Sequence, residues 1–257
     1  MNPSAAPTER FSDRVADYVR YRPGYPPALL DWLHRDIGVA AGATVADIGA
    51  GTGISTRLFL DAGHRVVAVE PNAAMRQAAE RWLAAGHPQL SFAAGTAEAT
   101  TLADASVGLV SAAQAFHWFD ADAVRPEWRR ILQPGGIALV YWNSRLLDVS
   151  PFLAAYERLL QDYGTDYSTV AERYQDDATM RAWFGAGLRG RVQLPNVQHL
   201  DFDGLRGRLL SSSYAPQPGH PRHAPMLAAL RALFDAHAVD GRVAFEYRTR
   251  AFAGTLD

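Results

Sequence analysis

Two acids and three glycines carry most of the chemistry that this sequence can offer a ligand. In Val45-Ala-Asp-Ile-Gly-Ala-Gly-Thr-Gly53 an apolar run contains Asp47 near its end. Gly49, Gly51 and Gly53 follow at alternate positions, before a helical pattern over 54–62. A buried parallel strand turning sharply into a helix writes such a pattern, and glycine there lets the backbone approach a ligand with no Cβ in the way. About twenty residues further on, the run Arg65-Val-Val-Ala-Val-Glu70 closes on a lone carboxylate. In a strand–helix–strand nucleotide site, this is where an acid takes the two ribose hydroxyls. The dinucleotide fingerprint also needs a glycine three residues after its second, and that place holds Ile54. A pyrophosphate seat is therefore not what these residues encode.

The elements needed to position them are legible around them. Residues 1–40 read as a helical preface, with helices over 10–21 and 28–37 separated by Arg22-Pro-Gly-Tyr-Pro-Pro27. Strands are predicted over 44–48, 66–70, 90–94, 107–111 and 137–142, with helices over 54–62, 73–84 and 123–132 between them. This alternation argues a parallel sheet with right-handed crossovers. Further on, helices are predicted over 152–163, 178–184, 205–210 and 225–238, and a strand over 192–202. Residues 241–252 alternate, with Val243, Phe245, Tyr247 and Thr249 on one side, as a strand with two distinct faces would. One domain spanning 1–257 is expected, with 1–40 as a cover and 145–190 as an insertion over the substrate.

Composition removes several classes of function. The chain has 257 residues, 48% of them hydrophobic, enough for one large core. A net charge of −2 provides no basic face for nucleic acid. Arg125, Arg129 and Arg130 cluster on a helical pattern and read as a solvated face. No apolar run approaches the ~20 residues of a membrane span. Met1-Asn-Pro-Ser-Ala-Ala-Pro lacks the charged-then-apolar order of a signal peptide, so a cytoplasmic enzyme is expected. Without cysteine there is no thiolate nucleophile and no cysteine metal site. All 25 basic residues are arginine, which removes lysine Schiff-base and general-base chemistry.

Gly49-x-Gly51-x-Gly53 after an acidic strand end resembles motif I of the class I S-adenosylmethionine-dependent methyltransferases. The likeness continues in order. Glu70-Pro-Asn-Ala-Ala-Met75 resembles the acid-plus-hydrophobe signature, and Gly95-Thr-Ala-Glu98 the loop that meets the adenine edge. Ala112-Ala-Gln-Ala-Phe-His-Trp-Phe119 resembles the segment bordering the transferable methyl, and Leu132-Gln-Pro-Gly-Gly136 the turn into strand five. The resemblance implies a Rossmann-like α/β fold whose mostly parallel seven-stranded sheet has an antiparallel last strand and a helical cap. It implies S-adenosylmethionine as cosubstrate, with no metal. Asp47, Gly49, Ala50, Gly51, Glu70, Pro71, Met75, Thr96, Ala97, Glu98 and Gln114 would then face the cofactor. Tyr18 and Arg22 would do so from the preface, where Tyr18…Arg22-Pro-Gly-Tyr-Pro resembles an element folding over the pocket.

Within the superfamily the chain resembles the type-11 small-molecule branch with trans-aconitate methyltransferase-like members. That implies methylation of a small acceptor, first of all a carboxylic acid, by a monomer or homodimer. Tyr21, Trp118, Arg145 and Ser213 are the expected substrate residues. His117 and Asn143 are the expected catalytic ones, His117 for positioning rather than proton transfer. Some relatives use no acceptor: the α-amine of S-adenosylmethionine attacks its own side chain, giving azetidine-2-carboxylate and methylthioadenosine. Asn143 and Ser211 to Ser213 are compatible with that alternative. A third reading is a non-catalytic protein that binds the cofactor and regulates a partner.

Overall fold

The computed structural model describes residues 21–167 and 176–256. Tyr18 and most of the helix predicted over 10–21 lie outside the described residues.

Val45-Ala-Asp-Ile is buried at every position, so both faces of this strand are covered. This strand, β1 (Val45–Ile48), pairs in parallel with β2 (Val66–Val69) and with β4 (Val107–Ala113). β3 (Leu90–Ala93) extends the sheet beyond β2, and β5 (Leu132–Arg145) beyond β4. Between Leu132 and Ile137 the pairing of β5 shifts register, so the Pro-Gly-Gly stretch bulges away from the sheet. The last strand, β7 (Val243–Gly254), runs antiparallel between β5 and β6 (Leu188–Leu200), giving the order β3-β2-β1-β4-β5-β7-β6. The chain reverses direction across the sheet between β3 and β4. The crevice beyond the carboxyl ends of β1 and β4 is thus the switch point where such sheets bind ligands.

Helices cover both faces. On one lie α1 (Ala28–Trp32, prolonged by a π-helical turn over Leu33–Ile37), α2 (Ile54–Asp61) and α3 (Ala73–Leu83). Their Leu29, Leu33, Phe59, Ala79 and Leu83 pack on Val45, Val66, Leu109 and Tyr141. On the other lie α4 (Ala121–Ile131) and α6 (Asp177–Phe184), whose Val124, Trp128, Met180 and Phe184 pack on Ala46, Ile48, Val140 and Trp142. Fully burying a side chain such as Phe59 contributes about 1.5–3 kcal/mol. Asn72, Asp120 and Asp176 cap α3, α4 and α6 by accepting backbone N–H groups, worth about 1 kcal/mol each.

α5 (Pro151–Tyr163), α7 (Phe202–Leu210) and α8 (His223–His237) form a third cluster with Val243, Phe245 and Tyr247, beyond the sheet proper. The stretch expected as one insertion over 145–190 is therefore divided. Its first helix joins this cluster, and its second, α6, packs back onto the sheet. Of the expected arginine face, Arg129 and Arg130 are exposed, whereas Arg125 reaches across to the Trp183 carbonyl at 2.5 Å.

Candidate functional site

The glycine loop has three left-handed residues, Gly49, Gly51 and Gly53, with φ of 65°, 58° and 85°. Side chains at the three positions would meet different surroundings. A Cβ on Gly49 would come 2.8 Å from Ala115 Cβ and 3.1 Å from Phe119. On Gly53 it would come 2.5 Å from Leu83. On Gly51 its only neighbour among the described residues would be Met75 Sδ at 3.9 Å. The outer glycines let the loop pack against protein, and the central one leaves space open beneath Met75.

Asp47 lies under this loop with no exposed surface. Its carboxylate accepts the hydroxyls of Ser55 (2.6 Å), Thr56 (2.7 Å) and Ser111 (3.2 Å). Burial pushes its pKa up to about 6, against the pull of those three donors. It ties β1, the start of α2 and β4 together beneath the loop.

Glu70 stands at the end of β2, nearly buried. One carboxylate oxygen accepts the Gly51 N–H at 2.9 Å and the other the Asn72 N–H at 2.8 Å. Burial raises its pKa, against those two donors and the Arg76 guanidinium, which itself bonds the Glu70 carbonyl at 2.6 Å. The acid and the central glycine, expected from their spacing to share a ligand, are thus in direct contact. Pro71 is exposed beside them and Met75 is buried over the loop.

After β3, Ala97 is buried and its carbonyl accepts the Trp128 indole N–H at 3.2 Å. Thr96 and Glu98 on either side are exposed, and Glu98 accepts the Asp120 N–H at 3.4 Å. At the end of β4, Gln114 adopts a left-handed φ of 54°, uncommon for a side-chain-bearing residue. Its Nε2 donates to the Asn143 carbonyl at 3.1 Å, while its buried Oε1 has no partner. A buried, unsatisfied acceptor at a strand end is costly unless a ligand completes it.

The two expected catalytic residues are parted. Successive residues of a strand face opposite ways. The Trp142 indole N–H donates to His117 Nδ1 at 3.4 Å on one side of β5, with the Trp118 ring 4.9 Å from the His117 ring. On the other side, the Asn143 amide donates to the Gly24 carbonyl at 2.9 Å, and its oxygen accepts Thr249 (2.6 Å) and Asn196 (3.1 Å). Asn143 is a rivet holding residues 21–25 to the sheet. Asn196 bonds the same Gly24 carbonyl, and Tyr25 meets Tyr141 edge-on. Tyr21 lies across Gly207 so closely that a Cβ there would fall 2.2 Å from its ring.

Arg22 donates to the Ser211 carbonyl at 2.9 Å and the Ser212 hydroxyl at 3.4 Å. Arg145 is paired with Glu157 and with the Tyr167 hydroxyl, and Ser213, next to Ser212, is half-buried. Sequence reasoning passed over Ser55, Thr56 and Ser111 as partners of Asp47. It also passed over Arg208, which is buried on α7.

Among the described residues, no group of three or more His, Cys, Asp or Glu could hold a metal, and no helix is long and apolar enough to cross a membrane. A surface cavity of about 410 Å³ between α4 and α6, lined by residues such as Arg125 and Trp183, shares no residue with the glycine loop, Glu70, Gln114 or His117.

Residues 46–140 match the family model for a methyltransferase domain. An uncharacterized methyltransferase of Mycobacterium tuberculosis is 43% identical over 135 residues, 52% of each chain. One of Schizosaccharomyces pombe is 32% identical over 152 residues, 59% of each. The chain spans about half the length of the curated relatives it matches. A solved structure from Anaeromyxobacter dehalogenans, provisionally named a type II methyltransferase, superposes with a TM-score of 0.68 at 25% identity, over 92% of this chain and 98% of that one.

Proposed function

We propose that the chain transfers the methyl group of S-adenosylmethionine to a small acceptor, at an oxygen such as a carboxylate; the methyltransferase-domain match over residues 46–140 and the class I S-adenosylmethionine-dependent methyltransferase fold support this reading. One observation carries the reading. At the ends of β1 and β2, the Glu70 carboxylate is fixed by two backbone N–H groups beside a glycine whose side-chain position is open.

Each Glu70 oxygen keeps a lone pair after accepting one N–H, so both ribose hydroxyls can donate to it. Met75 offers its thioether to one adenine face, and Thr96, Ala97 and Glu98 border the adenine edge. The orphaned Gln114 Oε1 suits an ammonium donor, such as that of the amino-acid tail. When bound, the cosubstrate supplies an electrophilic methyl group on a sulfonium. A carboxylate acceptor is already ionised at neutral pH, so no proton has to leave it. The residues then contribute mainly alignment, which in ideal cases reaches ~7–11 kcal/mol.

His117 fits a positioning role. Its Nδ1 accepts from Trp142, which leaves Nε2 as the N–H donor of the neutral ring, able to orient an acceptor oxygen but not to deprotonate it. His117→Ala is expected to lower kcat about 5- to 10-fold, the worth of one neutral hydrogen bond. The pH–rate profile should keep its shape, and loss of a limb near neutrality in the variant would instead make His117 a base. Asn143 acts through the segment it rivets and is a positioning residue.

Self-cyclisation of the cosubstrate would draw on the Asn143 amide and the hydroxyls of Ser211 to Ser213. The Asn143 amide and the Ser211 and Ser212 hydroxyls already have protein partners, and Ser213 is half-buried. Product analysis decides. With a panel of small carboxylic acids, S-adenosylhomocysteine should form only when an acceptor is present. Methylthioadenosine from S-adenosylmethionine alone would replace methyl transfer by cyclisation. Tight binding with no product from any acid would leave a binding protein.

A further inference from the structure

Arg208 is 6% exposed and permanently charged. Its Nε donates to the Tyr247 hydroxyl at 3.0 Å and its Nη1 to the Ser212 hydroxyl at 3.2 Å. Its guanidinium lies over the Phe245 and Tyr247 rings at 5.3 and 5.9 Å. Every one of these partners is neutral, and no carboxylate among the described residues pairs with it. Arg22 reaches the same Ser212 hydroxyl. Arg145, on the neighbouring end of β5, spends one nitrogen on Glu157 and Tyr167 and lies over the Tyr156 ring at 5.4 Å. Its other terminal nitrogen is buried without a partner, and so is the Tyr156 hydroxyl, on a residue 1% exposed.

Among the described residues, Arg208 and Arg145 therefore converge with a single carboxylate, Glu157, between them, and Arg22 comes to the hydroxyl that Arg208 holds. Tyr214 registers the convergence: burial would raise its pKa, yet Arg208, Arg22 and Arg145 together hold it below its ordinary value. A buried charge with only neutral partners is expensive, and an orphaned N–H and O–H beside it add to the cost. An incoming anion relieves all three.

We propose that Arg208 and Arg145, with the hydroxyls of Tyr156 and Tyr214, bind a compact oxyanion, a carboxylate or phosphate group of the acceptor that is not itself methylated. This assignment rests on the methyl-transfer reading for its role, but not for the binding itself. The site is placed for such a role. Arg145 lies two residues beyond Asn143 and Arg22 two before Gly24, and those two residues are bonded at the carboxyl end of β5. Planar guanidiniums bind carboxylate and phosphate through paired N–H donors, so an anchored anionic end would fix how far the rest of the acceptor extends toward His117.

The test titrates the full chain, with and without S-adenosylhomocysteine, with succinate, with inorganic phosphate and with uncharged 1,4-butanediol. Calorimetry gives affinity and a thermal melt gives stability. Succinate or phosphate should bind and the diol should not, the stronger anion telling the carboxylate source from the phosphoryl one. Arg208→Gln should weaken the bound anion roughly 10- to 100-fold, as loss of a charge-assisted pair does, with S-adenosylhomocysteine affinity unchanged. Ligand-free, that variant should melt no lower than the parent, because it removes an uncompensated buried charge. A merely structural arginine would lower the melt. Should Arg208→Gln fail to fold, Tyr156→Phe, which deletes only the orphaned hydroxyl, should still weaken the anion several-fold. Absence of anion binding, binding that neither variant changes, or an equal response to the diol overturns the proposal. If S-adenosylhomocysteine does not bind while anions bind in an Arg208-dependent way, the methyl-transfer reading falls and the anion site stands.

Discussion

Gly51→Val is expected to weaken S-adenosylmethionine binding at least ~100-fold with a modest loss of stability, and Gly53→Val to lose about 2–5 kcal/mol of folding stability and so melt well below the parent. Both replace a left-handed glycine, which for a residue with a Cβ costs roughly 1–2 kcal/mol. They differ in what the new atoms meet. At Gly51 the nearest neighbour is Met75 Sδ at 3.9 Å, so valine enters the open space that a nucleoside needs. At Gly53 the first carbon alone falls 2.5 Å from Leu83 Cδ1 and 3.2 Å from Ala79 Cβ. Overpacking adds a further ~1–3 kcal/mol there, against a total stability of about 5–15 kcal/mol for a typical domain. Circular-dichroism melts and calorimetry on the two variants separate the effects. A Gly51→Val protein that binds normally would remove the cofactor from this loop.

Glu70→Ala should cost about 100-fold or more in cofactor affinity, because each hydrogen bond to a charged group is worth about 1.5–3 kcal/mol and two ribose hydroxyls lose theirs. It should also lower the melting temperature of the ligand-free protein. Spacing alone assigns Glu70 a ligand, with the fold indifferent to its loss. In the structure the same carboxylate also holds Gly51 and Asn72, so its removal frees two backbone donors.

The pH dependence has a definite sign. Burial raises the folded-state pKa of Glu70 above its ordinary 4.5. For the free protein, the stabilising effect of that raised pKa is present in acid and lost as pH rises from 4.5 through the raised value. Cofactor affinity runs the other way, since only the carboxylate accepts both hydroxyls, and it should fall as pH drops through that same value. Calorimetry across the window should show this slope in the parent and a flat line in Glu70→Gln. A slope that survives the substitution would place the titrating group elsewhere.

How much of this was legible in the sequence depends on how local each cause is. The glycine loop, Glu70 and the alternation from β1 to β5 are local patterns, and the observed strands lie within a few residues of those predicted. The strands that ran longer, β5 to Arg145 and β6 back to Leu188, did so because β7 pairs with residues 138–145 of the one and 188–200 of the other, which no local window contains. Asn143 has the composition of a ligand-binding residue at a sheet edge. Its true partners, Gly24, Asn196 and Thr249, come from three distant segments. Arg208 sits in Leu205-Arg-Gly-Arg-Leu209, where two arginines look alike. Helical phase could have distinguished them, since Arg208 shares the buried face of Leu205 and Leu209 while Arg206 is exposed.

The riveting of residues 21–25 also fixes an order of assembly. The hydrogen bonds described for them reach 119 to 190 residues further along the chain. On the ribosome this stretch emerges before β5, β6 and α7, so these contacts wait until those later segments exist. Such distant contacts are the slow ones in folding. The nucleotide crevice, built from neighbours in sequence, can therefore be shaped while the acceptor side is still open, and residues 21–25 close onto it after the segments that follow them.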